Sequence, residues 1–73
     1  MKTITFENLV ERENMTKEAI LNSFDHLEEE NLMILNDGEY IMISFETDLD
    51  ENEPEAFNRK VSDIEDMSGA YLV

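Results

Sequence analysis

Asp48, Asp50 and Asn52 alternate in the pattern with which a calcium loop presents its first three oxygen ligands. Such a loop also needs glycine at its sixth position, for a sharp turn, and a bidentate glutamate at its twelfth. Glu53 and Arg59 hold those places, so the segment reads as a solvated acidic loop, and neither a metal nor another cofactor is expected. His26 is the single histidine, with Asp25 and Glu28 near it in sequence. A catalytic histidine needs a nucleophile or a metal beside it. The chain has no cysteine, no HExxH and no GxSxG, and its two glycines cannot build a phosphate cradle. His26 therefore reads as a surface residue. Carboxylates are abundant, but a general acid needs one buried in a cleft, which a domain this small rarely contains. The expectation is a protein that is not an enzyme.

Nineteen acidic residues against five basic ones give the 73-residue chain a formal net charge of −14. Phosphate backbones and anionic lipid repel such a polyanion, so direct binding to nucleic acid or to a membrane surface is not expected. The longest apolar run, Leu32 to Leu35, falls far short of the roughly 20 residues of a spanning helix. The N-terminus lacks the apolar centre of a signal peptide. These features lead to the expectation of a soluble cytoplasmic protein with one small domain over residues 1–73.

The candidate residues must be positioned by a few short elements. Phe6, Leu9 and Val10 are spaced i, i+3, i+4, which predicts a short amphipathic helix to about Glu13. Thr16 suits the N-cap of a second helix, with Met15 and Ile20 as a hydrophobic staple across it. Ile20, Phe24 and Leu27 form the apolar face of that helix, which is predicted to run to about Glu30. A hairpin follows: Leu32 to Leu35, then Asn36-Asp37-Gly38-Glu39, then Tyr40 to Phe45, with Asp37-Gly38 as a type I′ turn. Leu32, Ile34, Ile41, Ile43 and Phe45 share one face; Met33, Leu35, Tyr40, Met42 and Ser44 share the other. Both faces are apolar, so something must cover the second. Residues 46–55 form an acidic loop without a base. Phe57, Val61, Ile64 and Met67 then mark a C-terminal helix, with Pro54 in its first turn and Gly69 at its end. The predicted class is α+β, a small single domain in the order α-α-β-β-α.

The phrase Leu27-Glu28-Glu29-Glu30-Asn31-Leu32, followed by a tight turn at Asn36-Asp37-Gly38-Glu39, resembles the back half of a winged helix-turn-helix domain. The resemblance covers Ala19 to Phe45 and implies a helix packed beside a β-hairpin wing. The family's recognition helix carries donors for phosphates and base edges. Here the corresponding helix carries Asn22, Asp25, His26, Glu28, Glu29 and Glu30, and its carboxylates would be repelled from a major groove.

Two surfaces remain as candidates for binding. One is acidic: Glu28, Glu29, Glu30, Asp48, Asp50, Glu51, Glu53 and Glu55. Carboxylates along a helix and a loop can imitate a row of phosphates and occupy a basic groove, and electrostatic steering would make that association fast and salt-sensitive. The partner expected is a basic, nucleic-acid-handling protein, with this chain as its regulator or inhibitor. In composition the chain resembles phage-encoded DNA mimics and other anti-defence factors. The other surface is apolar: Met33, Tyr40 and Met42. The plain expectation is that the C-terminal helix covers it. The alternative is a winged-helix-like transcription-regulatory or dimerisation module that uses this face to bind another protein or a second copy.

Overall fold

In the computed structural model, which describes residues 2–73 apart from the side chain of Asp50, the chain begins with a strand and not with a helix. Strand β1, Lys2–Leu9, buries Ile4, Phe6 and Asn8 on one side and turns Thr3, Thr5 and Glu7 to the other. That period of two overrides the i, i+3, i+4 spacing of Phe6, Leu9 and Val10. Three apolar residues at helical spacing are also compatible with a strand whose end bends into a turn, and Val10–Arg12 is a single 3₁₀ turn.

Helix α1 spans Glu13–Ser23, so it starts before Thr16 and ends well short of Glu30. Thr16 is no cap: it is buried in the helix, and its hydroxyl donates to the Arg12 carbonyl four residues back. Met15 stays exposed and makes no staple over the buried Ile20. Phe24 and Leu27 continue the apolar period, and both are buried, but Phe24 already has extended backbone (φ −118°, ψ 96°). At this end Lys60 reaches across and donates from Nζ to the Ser23 carbonyl at 2.5 Å, satisfying one of the helix's last carbonyls, with its ammonium 5.7 Å from the Phe24 ring centre. Residues 24–28 form a loop, and Glu29–Asn31 is another 3₁₀ turn, closed by the Asn31 side chain accepting from the Glu28 N–H.

Strands β2 (Met33–Asn36) and β3 (Tyr40–Thr47) make the expected hairpin with a different register: Met33 lies opposite Ser44, Ile34 opposite Ile43 and Leu35 opposite Met42. The shift from the expected pairing is an even number of residues, so every side chain keeps its face. Only Gly38 has positive φ in the turn (+94°), and the Asp37 N–H donates to the Tyr40 carbonyl. The turn is therefore centred on Gly38-Glu39, with glycine first, as type II′ turns prefer.

The acidic stretch is more ordered than a loop. Its first two residues finish β3, Leu49–Asn52 is one helical turn (α2), and Pro54 opens helix α3, Pro54–Ser68. Helix α3 ends at Gly69 (φ +77°), as expected. Phe57, Val61 and Ile64 are buried, whereas Met67 is exposed and Ser68 takes the buried place beside it. The tail then adds a strand, β4 (Tyr71–Leu72).

The expected α+β class holds: two long helices lie on one side of a four-stranded antiparallel sheet of order β2-β3-β1-β4. This β-α-β-β-α-β arrangement is the split βαβ (ferredoxin-like) order. Within the 19–45 segment that resembles a winged helix, the helix stops at Ser23 and the hairpin is extended into the larger sheet by β1. Ile4, Phe6, Ile41, Ile43 and Phe45 from the sheet meet Ala19, Ile20, Phe24, Phe57, Val61 and Ile64 from the other layer. Phe24 is the centre of this core, with its ring 5.0 Å from Phe45 and 6.3 Å from Phe57. Each such aromatic contributes about 1.5–3 kcal/mol by burial.

Candidate interaction surface

Because α1 and α3 both pack on the face of Ile41, Ile43 and Phe45, the opposite face of the sheet has no covering layer among the described residues. The C-terminal helix thus covers the opposite side of the hairpin from the one expected of it. On the open face Leu35 is 71% exposed, Met33 58%, Tyr71 50% and Tyr40 38%, while Met42 is half-buried between neighbours. The strand registers set these residues in rows. Leu35, Met42, Glu7 and Tyr71 form one row across all four strands. Met33, Ser44 and Thr5 form the next, with the Ser44 and Thr5 hydroxyls 2.8 Å apart. The Tyr71 hydroxyl donates to Glu7 Oε1 at 2.6 Å, which ties β4 to β1, and this bond to a carboxylate holds the Tyr71 pKa above its ordinary value.

Two shallow depressions flank β2. One, of about 260 Å³, is lined by Glu7, Leu35, Asn36, Asp37, Tyr40 and Met42. The other, of about 420 Å³, is lined by His26, Leu27, Asn31, Met33, Phe45 and Glu46. His26 is exposed there, edge-on to Phe24. The Asp37 carboxylate accepts from the Tyr40 and Glu39 N–H groups, and these bonds keep its pKa below the usual carboxylate range. They also fix the hairpin tip.

The chain matches none of the protein-family models, curated proteins or solved structures with which it was compared. What the molecule can do therefore has to be read from its own surfaces.

Of the acidic residues singled out by sequence, Glu28, Glu29 and Glu30 are exposed on the loop and 3₁₀ turn, not on a helix face. Glu29 accepts from Lys17 Nζ at 2.8 Å; the pairing lowers the Glu29 pKa and raises that of Lys17. Asp48, Glu51, Glu53 and Glu55 are also exposed, and the side chain of Asp50 lies outside the described residues. Sequence distance separates the two groups, but the hairpin reunites them. Glu28–Glu30 lead into the start of β2 and Asp48 follows the end of β3, which are neighbouring strand ends in an antiparallel pair. Both groups therefore gather at one end of the sheet. Among the described residues, no cluster of three or more His, Asp or Glu is arranged to hold a metal ion, and no helix is long and apolar enough to cross a membrane.

The apolar set Met33, Tyr40 and Met42 does lie on one face together with Leu35, as the hairpin alternation predicts, and the structure adds Leu9 and Tyr71 to it. Leu9 was missed because β1 was not recognised; Tyr71, in a short apolar tail whose sequence suits either the core or a contact surface, is set on this face by β4. The alternation Ile4, Phe6, Asn8 against Thr3, Thr5, Glu7 was the available signal for β1. A two-residue strand such as β4 has none.

Proposed function

We propose that this chain is a non-enzymatic acidic interaction protein that docks on a basic protein surface through its open sheet face. The observation that carries this reading is the uncovered row Leu35, Met42, Glu7 and Tyr71 beside Met33 and Tyr40, on a chain of net charge −14. Exposed large apolar side chains grouped on one open face, with Glu7, Ser44 and Thr5 among them, favour a contact surface. Methionine and tyrosine suit it, being adaptable and enriched at interfaces. The surrounding carboxylates select partners of opposite charge and speed their encounter.

A partner whose basic surface ordinarily holds nucleic acid fits this chemistry. The placing of Glu28–Glu30 and of Asp48, Glu51, Glu53 and Glu55 near neighbouring strand ends favours this version, because carboxylates brought to one end of the sheet suit a basic groove. The chain would then act as a regulator or inhibitor by occupying the phosphate path.

The test is capture from cell lysate on immobilised protein, eluted stepwise in salt, run in parallel with Leu35→Glu and Met42→Glu variants whose circular dichroism matches wild type. A basic protein held by wild type and lost by both variants is the expected result. Equal capture by the variants would overturn docking through the face. Displacement of the captured protein by added DNA would support the phosphate-path version, and indifference to DNA would reject it.

A further inference from the structure

Strand β2 is the outer strand of the sheet and pairs with β3 alone among the described residues, so its far edge presents main-chain N–H and C=O groups to solvent. An edge of this sort is normally blunted by an inward charge, a lysine, a proline or a very short strand. The other edge follows that rule, since β4 has two residues. In contrast, β2 reads Met33-Ile34-Leu35-Asn36, with no charge and no proline, and Met33 and Leu35 project from it largely exposed.

Charge is placed just outside both ends instead: Glu28, Glu29 and Glu30 before the strand, Asp37 and Glu39 after it. This arrangement decides what can pair with the edge. A second copy aligned antiparallel would set the Glu28–Glu30 end against the other copy's Asp37 and Glu39. A parallel copy would set each acidic end against its own equivalent. Both orientations juxtapose like charges, which is destabilising. An extended segment with lysine or arginine at its two ends meets carboxylates at both.

Resting on the reading that the partner is basic, we propose that β2 is a β-augmentation site: it accepts an extended peptide segment with small or branched apolar side chains at alternate positions and basic residues flanking them. Main-chain bonds supply the affinity, and the exposed Met33 and Leu35 side chains pack beside the peptide's side chains on the open face. The four residues of β2 span about 13 Å, room for a core of four or five peptide residues between the basic flanks.

The probe is a synthetic peptide, Lys-Lys-Val-Thr-Val-Thr-Val-Lys-Lys, capped at both ends, titrated against the full chain by fluorescence anisotropy. Two control peptides accompany it, one N-methylated on its five central amides and one with glutamate flanks. The expected result is binding that weakens with salt, falls about tenfold or more on N-methylation through loss of two or more main-chain bonds, and vanishes with glutamate flanks. Amide exchange at Met33–Asn36 slows in the complex. Leu35→Lys, which puts a guarding charge on the edge, weakens the probe similarly while leaving the circular dichroism unchanged. Equal affinity for the N-methylated peptide, unprotected β2 amides, or no binding of the probe would overturn edge pairing. Loss of a lysate partner in the Leu35→Glu and Met42→Glu variants would still stand in those cases, so the broader reading fails or survives separately.

Discussion

Replacing Asn8 by leucine should remove a large part of the stability of this domain. Asn8 is 3% exposed, on the core side of β1, and it ties three elements together. Its amide nitrogen donates to Thr16 Oγ1 on α1 and to the Ser68 carbonyl at the end of α3, both at 2.9 Å. Its carbonyl oxygen accepts from the Leu9 N–H at 2.8 Å. Leucine is of similar size, so the loss is chiefly of hydrogen bonds. Thr16 Oγ1 keeps its bond to the Arg12 carbonyl and suffers little. The Ser68 carbonyl and the Leu9 N–H lose a partner in a buried or partly buried setting, at about 1–3 kcal/mol for each buried group. The sum is about 3 kcal/mol, against a total stability of roughly 4–11 kcal/mol for a chain of this length. Thr16→Val, which removes one hydroxyl but leaves the Ser68 bond in place, should cost about 1–2 kcal/mol. Urea unfolding followed by circular dichroism measures both, since the chain has no tryptophan. The midpoint should fall with an unchanged slope. An Asn8→Leu variant within about 0.5 kcal/mol of wild type would refute the reasoning, because the freed groups would then have found water and the network would not be holding the helices to the sheet.

Three further outcomes follow from the same packing. Lys60→Met removes the ammonium from the Ser23 carbonyl and from the Phe24 ring, and should lower stability by about 1 kcal/mol in the same urea assay, with faster amide exchange in the last turn of α1. Gly69→Ala puts a Cβ at positive φ and against the Arg12 guanidinium, and should cost about 1 kcal/mol by thermal melting. The raised pKa of Tyr71 means that its bond to Glu7 contributes below the ordinary tyrosine pKa of about 10 and is lost as pH climbs through the folded value. Ultraviolet titration should show Tyr71 titrating late, and Glu7→Gln should bring it back toward the ordinary value.

Much of the chain was legible because its local signals agree with its tertiary environment. Phe57, Val61 and Ile64 at helical spacing, Pro54 in the first turn and Gly69 at the end specify α3 without outside help. The hairpin was legible by face though not by register, since period-two alternation survives any even shift. The errors have physical causes. Phe24 and Leu27 carry on the helical period and are buried, yet they reach the core from a loop, because burial depends on where a side chain ends up and not on the backbone that delivers it. β1 was hidden because Phe6, Leu9 and Val10 match a helical stripe by spacing, although Phe6 faces the core, Leu9 the open face, and Val10 lies past the strand.

By itself the sequence determined the acidity, the two apolar faces of the hairpin, the C-terminal helix and the α+β class. Which hairpin face would be core, and which left open for a partner, was decided only by the tertiary structure. The reason lies in the connections. β1 to β2 passes over β3 in one direction, while β3 to β4 passes over β1 in the other, starting from an antiparallel strand. Reversing both the strand and the step leaves the side unchanged, so crossovers of one hand set α1 and α3 on the same face. Isoleucine and phenylalanine there became core, and Met33, Leu35, Tyr40 and Met42, no less apolar locally, were left facing out.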